Sequence, residues 1–570
     1  MGPTTRLDEP LNVAARLSAM AARLPDATAV VEPLGYDRAG RRRYRTMSFR
    51  ELDRDSDRIA RGLRRLGAVP GTTLAIMIRP GVDFVSLVFG LFKAGAVAVL
   101  VDPGMGRRRL VECLGEVEPD GFIAIPVVQA IRLALRRRFR RAWLNVTVGR
   151  RWFWGGPTLD TLRGEPWSQP EMAPTRADDP AAIIFTSGGT GPPKGVLYCH
   201  RTFDAQVDQL REFYGIEPGE VDLPGFPLFG LFNCALGATA VIPDMDPSHP
   251  ARVDPRKILE AVEDWNVTQT FGSPAIWDRV GRYCERTGRR LSSVRRVFSA
   301  GAPVPAEVLR RMTAAIHAEG TMHTPYGATE ALPVASIDAA EVLGQTAERA
   351  RQGAGVCVGR RFPGIAWRVI RIVDGPIHSI ADAESLAPGE IGELIVSGPV
   401  VTQRYVTRRE ANALAKIADE EGIWHRMGDA GYLDDQERFW FCGRVVHRVL
   451  TPQGPMYPVC CEAIFNEHPS VRRSALVGVG PPGRQRPVIV LEPRAEGTAR
   501  RAIGRILGAR ARRRLIEEAR AMAAAHPLTA SIDTFLVHPR FPVDVRHNAK
   551  ISRERLAAWA ARKLARSGEN

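Results

Sequence analysis

One stretch of the chain concentrates the residue types that bind phosphate. It runs from Ile183 to Gly195 and reads IIFTSGGTGPPKG, an apolar run followed by a loop of small and hydroxyl residues. Glycine lets backbone N–H groups converge on an anion, hydroxyls add donors, and lysine adds a compact charge suited to phosphate. No hydroxyl residue follows the lysine and GxGxxG is absent, so this is neither a P-loop nor a dinucleotide loop. The residues predicted to bind phosphate are Thr186, Ser187, Gly188, Gly189, Thr190, Gly191 and Lys194.

Lysine is scarce in this chain, which makes a lysine inside a motif informative. Only six of the 79 basic residues are lysine, and Lys194 and Lys550 both lie in motifs. The excess of arginine extends over the whole chain and is typical of a coding bias. The net charge of +16 therefore does not by itself predict a nucleic-acid partner, and we expect none.

Four further motifs flank the loop. They read KAGAVAVLVDP at 93–103, TPYGATE at 324–330, WHRMGD at 424–429 and NAKISRERL at 548–556. Together with the loop they resemble, in order and over nearly the whole chain, the motifs of the adenylate-forming superfamily, which includes acyl-CoA synthetases and luciferases. One loop position departs, since Gly189 stands where Ser or Thr is common.

The resemblance implies that a carboxylate attacks the α-phosphorus of ATP and yields an acyl-adenylate and diphosphate. It implies that the loop at 186–195 holds the β- and γ-phosphates, that Thr329 contacts the α-phosphate and that Glu330 ligates Mg²⁺. Lys550 would reach in from the C-terminal region and stabilise the charge that develops. Catalysis of this kind depends on positioning and on neutralising charge.

The resemblance also implies a nucleoside pocket built from motifs that are far apart in the sequence. The residues implied are Tyr326 and Gly327 at the adenine, Gly301, Ala302 and Pro303 along the adenine pocket, Asp429 at the ribose hydroxyls and Arg444 beside the nucleotide.

Departures from the family pattern concern the second half-reaction. Val446 stands where an Asp or Lys hinge residue is usual, and Gly230 replaces a common histidine. Cys460 and Glu462 stand where the usual pattern is ExE. These changes leave adenylation intact and argue against transfer to coenzyme A.

Several segments, among them FPLFGLFNCALG and HTPYGATEALPVA, are similar to one branch of the family, the olefin β-lactone synthetases. That resemblance implies a 2-alkyl-3-hydroxyalkanoic acid whose own 3-hydroxyl attacks the activated carbonyl, and by pathway analogy a complex with other olefin-pathway enzymes. A long-chain fatty acid–CoA ligase or a fatty acyl-AMP ligase stays open as the alternative. A nucleotide-binding protein without catalytic activity and a basic nucleic-acid or membrane adaptor are rivals from other classes.

An apolar wall is needed to hold an alkyl chain and to exclude water. The candidates, each of which also suits ordinary core packing, are Phe226, Phe229, Phe232, Gly237, Phe271, Gly272 and Trp277. His323 is a candidate base for the 3-hydroxyl, and a core histidine is an equally good interpretation.

Arginines and aromatic residues alternate in the segment 128–154, which we expect to contain a helix and a strand. A solvated basic face explains the pattern, and so does peripheral contact with a membrane or an acidic partner. Eight cysteines without CxxC spacing are typical of reduced thiols, and the start of the chain has no apolar signal core. We therefore expect a cytoplasmic protein.

The elements that position these motifs alternate between helical and β-branched segments. With 45% apolar and 25% charged residues the chain has ordinary globular composition. The alternation predicts an α/β protein with largely parallel, layered sheets, followed near Gly389 by a small barrel-like piece. We predict a large N-terminal domain at 1–443 for ATP and acyl substrate, and a mobile α+β lid domain at 444–570 that carries Lys550.

Overall fold

A computed structural model describes residues 10–164, 172–186, 191–226, 228–420, 422–494, 508–543 and 551–567. Among these residues the helices are α1 (Ala15–Arg23), α2 (Phe49–Arg65), α3 (Val82–Ala94), α4 (Arg107–Val117), α5 (Pro126–Ala134), α6 (Leu159–Arg163), α7 (His200–Tyr214), α8 (Phe229–Leu236), α9 (Pro255–Trp265), α10 (Pro274–Thr287), α11 (Ala306–Ala315), α12 (Ala339–Glu341), α13 (Ala347–Arg351), α14 (Ala411–Ala415), α15 (Pro458–Asn466), α16 (Ala509–Ala524) and α17 (Arg553–Ser567).

The strands of the same residues are β1 (Thr28–Tyr36), β2 (Arg42–Ser48), β3 (Thr73–Met77), β4 (Val97–Leu100), β5 (Gly121–Ala124), β6 (Leu144–Thr147), β7 (Pro180–Phe185), β8 (Gly195–Cys199), β9 (Val221–Pro224), β10 (Thr239–Val241), β11 (Gln269–Gly272), β12 (Arg296–Ser299), β13 (Thr321–His323), β14 (Tyr326–Ala328), β15 (Ala331–Ser336), β16 (Val356–Cys357), β17 (Arg360–Arg361), β18 (Ala366–Ile370), β19 (Gly392–Ser397), β20 (Lys416–Asp419), β21 (Gly422–Leu433), β22 (Phe439–Arg444), β23 (Val449–Thr451), β24 (Gly454–Met456), β25 (Val471–Val479), β26 (Arg486–Pro493) and β27 (Thr534–Val537). Short 3-10 turns cover Pro103–Met105, Pro250–Arg252, Ile380–Asp382 and Val445–His447, and a π-helical turn covers Val342–Thr346.

The loop predicted to bind phosphate leaves a mostly parallel sheet. Its strands lie in the order β6-β5-β3-β4-β7-β8, and each neighbouring pair is parallel except β7–β8. Parallel strands end at one common edge, where α/β proteins bind ligands. The loop that follows β7 therefore lies at the carboxyl edge of this sheet.

A second sheet carries the other wall of the site. Its order is β13-β12-β11-β9-β10-β1-β2, and only the β1–β2 pair is antiparallel. The segment 300–303 follows β12, and the Tyr326 motif follows the neighbouring strand β13. Parallel pairing thus brings two motifs that are about 25 residues apart to one edge.

An antiparallel half-barrel follows, as the change of pattern near Gly389 predicted. It runs β16-β22-β21-β19-β18 with β20 paired to β21. Residues 424–429 lie within the long strand β21, and Asp429 is paired in register with Arg444 on β22. The predicted α/β class with layered sheets and a small barrel-like piece is confirmed.

The apolar run from Phe84 to Val101 is interrupted by Lys93 and contains several glycines, which predicts a buried helix followed by a strand rather than a membrane span. The structure has these two elements. Helix α3 is buried along nearly all its length, and β4 follows it. Lys93 is buried at its end, where Nζ lies 2.6 Å from carboxylate oxygens of both Asp53 and Asp57 on α2. Two carboxylates compensate the charge of the buried lysine. Within the described ranges, no helix has the length and apolar character that crossing a membrane requires.

The C-terminal part has hydrophobic cores of its own. Two clusters of buried side chains, one around Phe465 and Phe535 and one around Leu536 and Leu556, contain only residues beyond 448. They pack the sheet β25-β26-β27 against α15, α16 and α17. The predicted domain boundary at 443/444 stays a prediction; it falls in the last residues of β22.

Most strands predicted from the sequence are present within two residues at either end. The predicted ranges are 73–78, 96–101, 181–185, 238–242, 294–299 and 367–372, and the matching strands are β3, β4, β7, β10, β12 and β18. The amphipathic helix expected at 51–66 is α2, which begins at Phe49 because Ser48 and Glu51 form a capping box there. The arginine-rich helix expected at 499–526 is α16, and part of its predicted range lies outside the described residues.

Candidate active site

The glycine-rich loop is closed at its base by its own residues. The backbone N–H of Thr186 donates to the carbonyl of Lys194, and the N–H of Lys194 donates to Thr186 Oγ1, both at 3.1 Å. A Cβ added to Gly191 would meet no atom within 4 Å. The loop residues predicted at 187–190 lie outside the described residues.

Tyr405 joins Lys194 to Glu330. The ammonium of Lys194 lies 4.6 Å from the centroid of the Tyr405 ring, and Tyr405 Oη donates to Glu330 Oε1 at 2.6 Å. Burial and the Glu330 carboxylate raise the pKa of Tyr405, so its hydroxyl stays a donor. The segment is fixed to the loop, since the N–H of Val406 donates to the carbonyl of Gly195 at 2.8 Å.

The turn between β14 and β15 is held by hydrogen bonds to its backbone carbonyls. Tyr198 Oη donates to the carbonyl of Thr329 at 2.6 Å. The N–H and the hydroxyl of Thr402 donate to the carbonyl of Glu330 at 2.9 and 3.0 Å. The two residues predicted to contact the α-phosphate and the metal are thus placed together.

Lys416 is a second cation beside the same tyrosine, and the sequence analysis missed it. Its Nζ donates to the carbonyl of Thr402 and lies 5.9 Å from the centroid of the Tyr405 ring. Burial lowers the pKa of Lys416 to about 7; the Glu330 carboxylate opposes that shift and the charge of Lys194 adds to it. Lys194, Glu330, Thr402, Tyr405 and Lys416 are called the Tyr405 cluster below.

A separate polar group lies where β14 meets the half-barrel. Tyr326 Oη donates to Asp429 Oδ2, and Arg444 Nη1 donates to Asp429 Oδ1 at 2.7 Å and to the carbonyl of Met427 at 2.8 Å. The Asp429 charge raises the pKa of Arg444, and burial together with Asp429 raises the pKa of Tyr326. The structure therefore brings together three residues that the resemblance implied from separate parts of the sequence, called the Tyr326 group below.

Glycine is required beside this group. A Cβ on Gly327 would lie 2.7 Å from the carbonyl oxygen of Ala331, closer than real contacts allow. The hairpin β14–β15 can therefore close only with glycine at this position. The loop of Gly301, Ala302 and Pro303 follows β12, with Gly301 and Pro303 exposed to solvent.

Four phenylalanines form a continuous aromatic wall at the carboxyl edge of the second sheet. Phe229 and Phe271 stack with centroids 4.0 Å apart, and Phe226 and Phe232 lie 5.8 and 6.0 Å from Phe229. They are the residues predicted to line an apolar pocket, and the structure brings them together.

Other wall candidates have structural roles. Gly237 ends α8 with φ of +85°, and a Cβ there would meet Met20 and Pro218. Trp277 is 1% exposed and donates from Nε1 to the carbonyl of Phe298, and Gly272 leaves room for its ring. These contacts hold the core beneath the wall.

Comparison of the chain with known proteins identifies its family. A model of the family described as AMP-binding enzyme matches residues 17–406. The chain belongs to the AMP-binding enzyme family. The olefin beta-lactone synthetase of Xanthomonas campestris pv. campestris is 47% identical in an alignment of 568 residues. That alignment covers 98% of this chain and 99% of that protein. The olefin beta-lactone synthetase of Stenotrophomonas maltophilia is 46% identical with the same coverage of both proteins.

Among solved structures, ATP-bound MatB from Rhodopseudomonas palustris is similar with a TM-score of 0.73 at 21% identity, covering 97% of this chain and 99% of that one. At this identity the likeness shows a shared fold. The adenylate-forming family predicted from five motifs is thereby confirmed, and family membership supports the use of ATP by this AMP-binding enzyme.

The candidate base of this AMP-binding enzyme is packed as a core side chain. His323 stacks on Phe298 at 5.7 Å and lies 5.1 Å from the Tyr214 ring. Burial lowers the pKa of His323 to about 4, which makes its ring a weak base. The packing favours the interpretation as a core histidine.

Lys550 of this AMP-binding enzyme lies outside the described residues, so its predicted role stays a prediction. The sequence contained a signal for Lys416, because it is another of only six lysines. It lies between two motifs and matches neither. Tyr405 carried no comparable signal, since its importance comes from a pairing between segments about 210 residues apart.

Proposed function

We propose that this chain is an ATP-dependent β-lactone synthetase that acts on a 2-alkyl-3-hydroxyalkanoic acid. The observation that carries the proposal is the 47% identity over 98% of the chain to a relative named olefin beta-lactone synthetase. The aligned part of the chain includes the segments that carry the four phenylalanines of the aromatic wall. By pathway analogy we also propose a complex with other olefin-pathway enzymes.

The first step joins the substrate carboxylate to AMP. A carboxylate oxygen attacks the α-phosphorus, a new P–O bond forms, and the bond to the diphosphate oxygen breaks. In this proposal the loop at 186–195 and Lys194 hold the β- and γ-phosphates, and Thr329 contacts the α-phosphate. Lys550 neutralises the charge that develops. These are positioning and electrostatic roles, which are the main sources of catalysis at phosphorus.

Magnesium is proposed to bind at Glu330. Mg²⁺ takes few protein ligands and keeps waters and substrate phosphate oxygens, so a single carboxylate suits it. Within the described residues no group of three or more His, Cys, Asp or Glu side chains could hold a metal, which agrees with such a site. Tyr405 Oη bonds Glu330 Oε1 and orients the carboxylate. The ion would neutralise phosphate charge and make diphosphate a better leaving group.

The nucleoside is proposed to bind at the Tyr326 group. Asp429 would accept hydrogen bonds from the ribose hydroxyls, and Tyr326 with Gly327 would lie at the adenine beside the loop of Gly301, Ala302 and Pro303. Arg444 orients the Asp429 carboxylate, since its Nη1 donates to Asp429 Oδ1 at 2.7 Å. A carboxylate that is already fixed loses little entropy on binding.

The second step closes the ring within the substrate. The oxygen of the 3-hydroxyl attacks the activated carbonyl carbon, the carbonyl–oxygen bond to AMP breaks, and the hydroxyl proton passes to a base or to water. An internal nucleophile in held geometry reaches effective molarities of ~10⁵ M or more. The aromatic wall of Phe226, Phe229, Phe232 and Phe271 supports the proposal, because it would exclude water from the adenylate.

Departures from the family pattern fit a reaction that needs no coenzyme A. Val446, at the usual hinge position, is 67% exposed and carries no charge. At Gly230 a Cβ would have its nearest neighbours at 3.9 Å, so the missing histidine leaves space on α8. Glu462 forms a buried ion pair with Arg553 within the C-terminal part. Eight free and buried cysteines support a reducing compartment such as the cytoplasm.

Product analysis tests the proposal. The full chain is incubated with MgATP and a 2-alkyl-3-hydroxy acid, with and without coenzyme A, and products are identified by mass spectrometry and infrared spectroscopy. We expect diphosphate, AMP and a strained lactone in both cases. A thioester that forms only with coenzyme A would establish the ligase alternative. Absence of diphosphate with every fatty acid would reject adenylation itself.

A further inference from the structure

Helix α5 exposes an apolar face. Val127 and Ile131 are 50% and 46% exposed, and Ala134 continues the same face one turn later. Gln129 on the other side is buried, and its amide donates to the carbonyls of Phe122 and Val146. A surface helix normally has the reverse arrangement, with apolar residues inside.

Exposed aromatic residues lie at both ends of the neighbouring strand β6. Trp152 and Phe153, which follow it, are 52% and 79% exposed, and Trp143, which precedes it, is 55% exposed. Trp154 fixes the first pair, since it is buried and donates from Nε1 to Thr147 Oγ1 at 3.0 Å. The exposure of these rings is therefore built into the fold. Tryptophan in such a position is typical of membrane interfaces.

The charge of this region has one sign. Residues 121–159 include eight arginines and neither Asp nor Glu. Arg132 and Arg151 make hydrogen bonds to neutral groups only. The arginines with neither an ion pair nor a side-chain hydrogen bond to any described residue are Arg136, Arg137, Arg138, Arg140 and Arg150. Arg141 lies 3.5 Å from Asp120, which is the one acidic group at this edge with a described contact to the segment.

The topology places these features around one helix. Ala124 at the end of β5 is paired with Thr147 at the end of β6, so the start of α5 and the turn that carries Trp152 leave the sheet side by side. The arginines of the turn at 136–141 follow the other end of α5. We call α5, the turn at 136–141, Trp143 and the turn at 150–153 the basic-aromatic surface.

We propose that the basic-aromatic surface docks on an anionic lipid bilayer. An apolar helix face flanked by arginines and tryptophans matches the two terms of interfacial binding, burial of apolar area and attraction to anionic headgroups. A nucleic acid would pair with the arginines but would leave the apolar face of α5 uncovered. The inference goes beyond the proposed function and concerns a surface outside the nucleotide site.

Docking would orient the site toward its substrate, a consequence that rests on the proposed function. The parallel strands from β6 to β7 all end at the edge where the phosphate loop begins. Four strand spacings of about 4.8 Å separate β6 from β7, which places the ends of these two strands roughly 19 Å apart along that edge. A fatty acid that partitions into the bilayer would enter from the docked side.

Sedimentation of the full chain with vesicles tests the surface without nucleotide. The probes are vesicles of phosphatidylcholine alone and of phosphatidylcholine mixed with phosphatidylglycerol. We expect binding to the mixed vesicles that weakens with salt. The variant R136Q/R137Q/R138Q should bind roughly 100-fold more weakly, since each basic residue near such a surface contributes about a factor of five. The variant W152S/F153S should also lose binding while salt still affects what remains.

A matched control removes the same charge elsewhere. R510Q/R513Q/R520Q changes three exposed arginines of α16 and should bind as the unmodified chain does. Equal binding to neutral vesicles, unchanged binding by both surface variants, or equal loss in the α16 variant would overturn the proposal. Diphosphate release with a short, water-soluble 3-hydroxy acid should be unchanged in every variant, which separates failure of docking from failure of the proposed function.

Discussion

The two polar groups of the site hold their charges in different ways. In the Tyr326 group, opposite charges are in direct contact, with Arg444 Nη1 2.7 Å from Asp429 Oδ1. In the Tyr405 cluster, the cations Lys194 and Lys416 contact an aromatic ring or a carbonyl, and neither lies within 4 Å of the Glu330 carboxylate. The first group is neutralised before a ligand arrives, whereas the second keeps positive charge available for an added anion.

This difference predicts a division of labour. In the proposed function the Tyr326 group contacts the nucleoside, whose charge does not change during the reaction, so it would contribute equally to substrate and transition state and affect binding. A group whose charge is unpaired responds when charge builds up on the phosphates, which affects rate. Substitutions in the two groups distinguish an effect on ATP binding from an effect on rate.

Lys550→Ala should have the largest effect, because it removes a cation that neither polar group replaces. We expect diphosphate release to fall roughly 100- to 1000-fold, as when one preorganised donor is removed from an active site. The melting temperature should not change. Lys563→Ala, in the same C-terminal part, is the control and should retain activity. Undiminished release in Lys550→Ala would refute the role.

Exchanging the carboxylates for amides separates the two groups. Asp429→Asn should raise the KM for ATP about 10- to 100-fold with kcat nearly unchanged, because a charge-assisted hydrogen bond is lost in substrate and transition state alike. Glu330→Gln should instead lower kcat by a similar factor. Steady-state diphosphate release at varied ATP measures both. The opposite pattern would break the proposed division.

Tyr405→Phe tests whether the cluster positions Glu330 through a hydrogen bond. The ring would remain beneath Lys194, and only the bond to Glu330 Oε1 would be lost. We expect kcat to fall about tenfold, since a hydrogen bond to a charged group contributes about 1.5 kcal/mol. Added Mg²⁺ should recover part of the loss if the carboxylate is merely misoriented. Tyr283→Phe on α10 serves as a matched control.

Lys416→Met should change proton uptake more than rate. The pKa of about 7 leaves Lys416 partly neutral near pH 7.5, and anionic phosphates would raise it. Binding of MgATP at pH 7.5 should therefore take up as much as about three-quarters of a proton in the parent chain and less in the variant. Calorimetry in two buffers of different ionisation enthalpy measures this. Lys257→Met should behave as the parent chain, and equal uptake in Lys416→Met would count against the assignment.

The same shift has a defined effect on stability. The pKa of Lys416 in the folded chain lies below its unfolded value, so the folded state binds fewer protons between about pH 7 and pH 10. The destabilisation is complete below pH 7 and is relieved as the pH rises through that window. Glu330, Lys194, Tyr405 and His425 are the titratable groups around it.

Most of the fold could be predicted from the sequence, because the local helix and strand patterns agree with the sheet topology that the structure shows. Alternation of helix and strand predicted parallel sheets, and runs such as 96–101 and 181–185 became neighbouring strands β4 and β7. Tyr326, Asp429 and Arg444 were each implied by the family resemblance. The contact of Asp429 with Arg444 follows from the β21–β22 register, and that of Tyr326 with Asp429 from the packing of β14 against the half-barrel, neither of which a single motif contains.

What the sequence did not predict depends on long-range packing. Tyr405 reaches Glu330 through backbone pairing of its own segment with β8, and a lone tyrosine beside arginine has no pattern that marks it. The segment 128–154 was ambiguous for a related reason. Its composition suited either a solvated or a docking face, and only the exposed fractions of Val127, Ile131 and Phe153 distinguish a helix whose outside is apolar.

The pairing of Arg444 with Asp429 also limits where the chain can pivot. Arg444 is the last residue of β22, and the next three residues form the turn Val445–His447 that leads into the C-terminal part. A rotation that began before Val445 would separate the Arg444 guanidinium from the Asp429 carboxylate. If the C-terminal part rotates in the proposed reaction, we therefore expect it to turn about bonds after Arg444, which would leave the Tyr326 group in place.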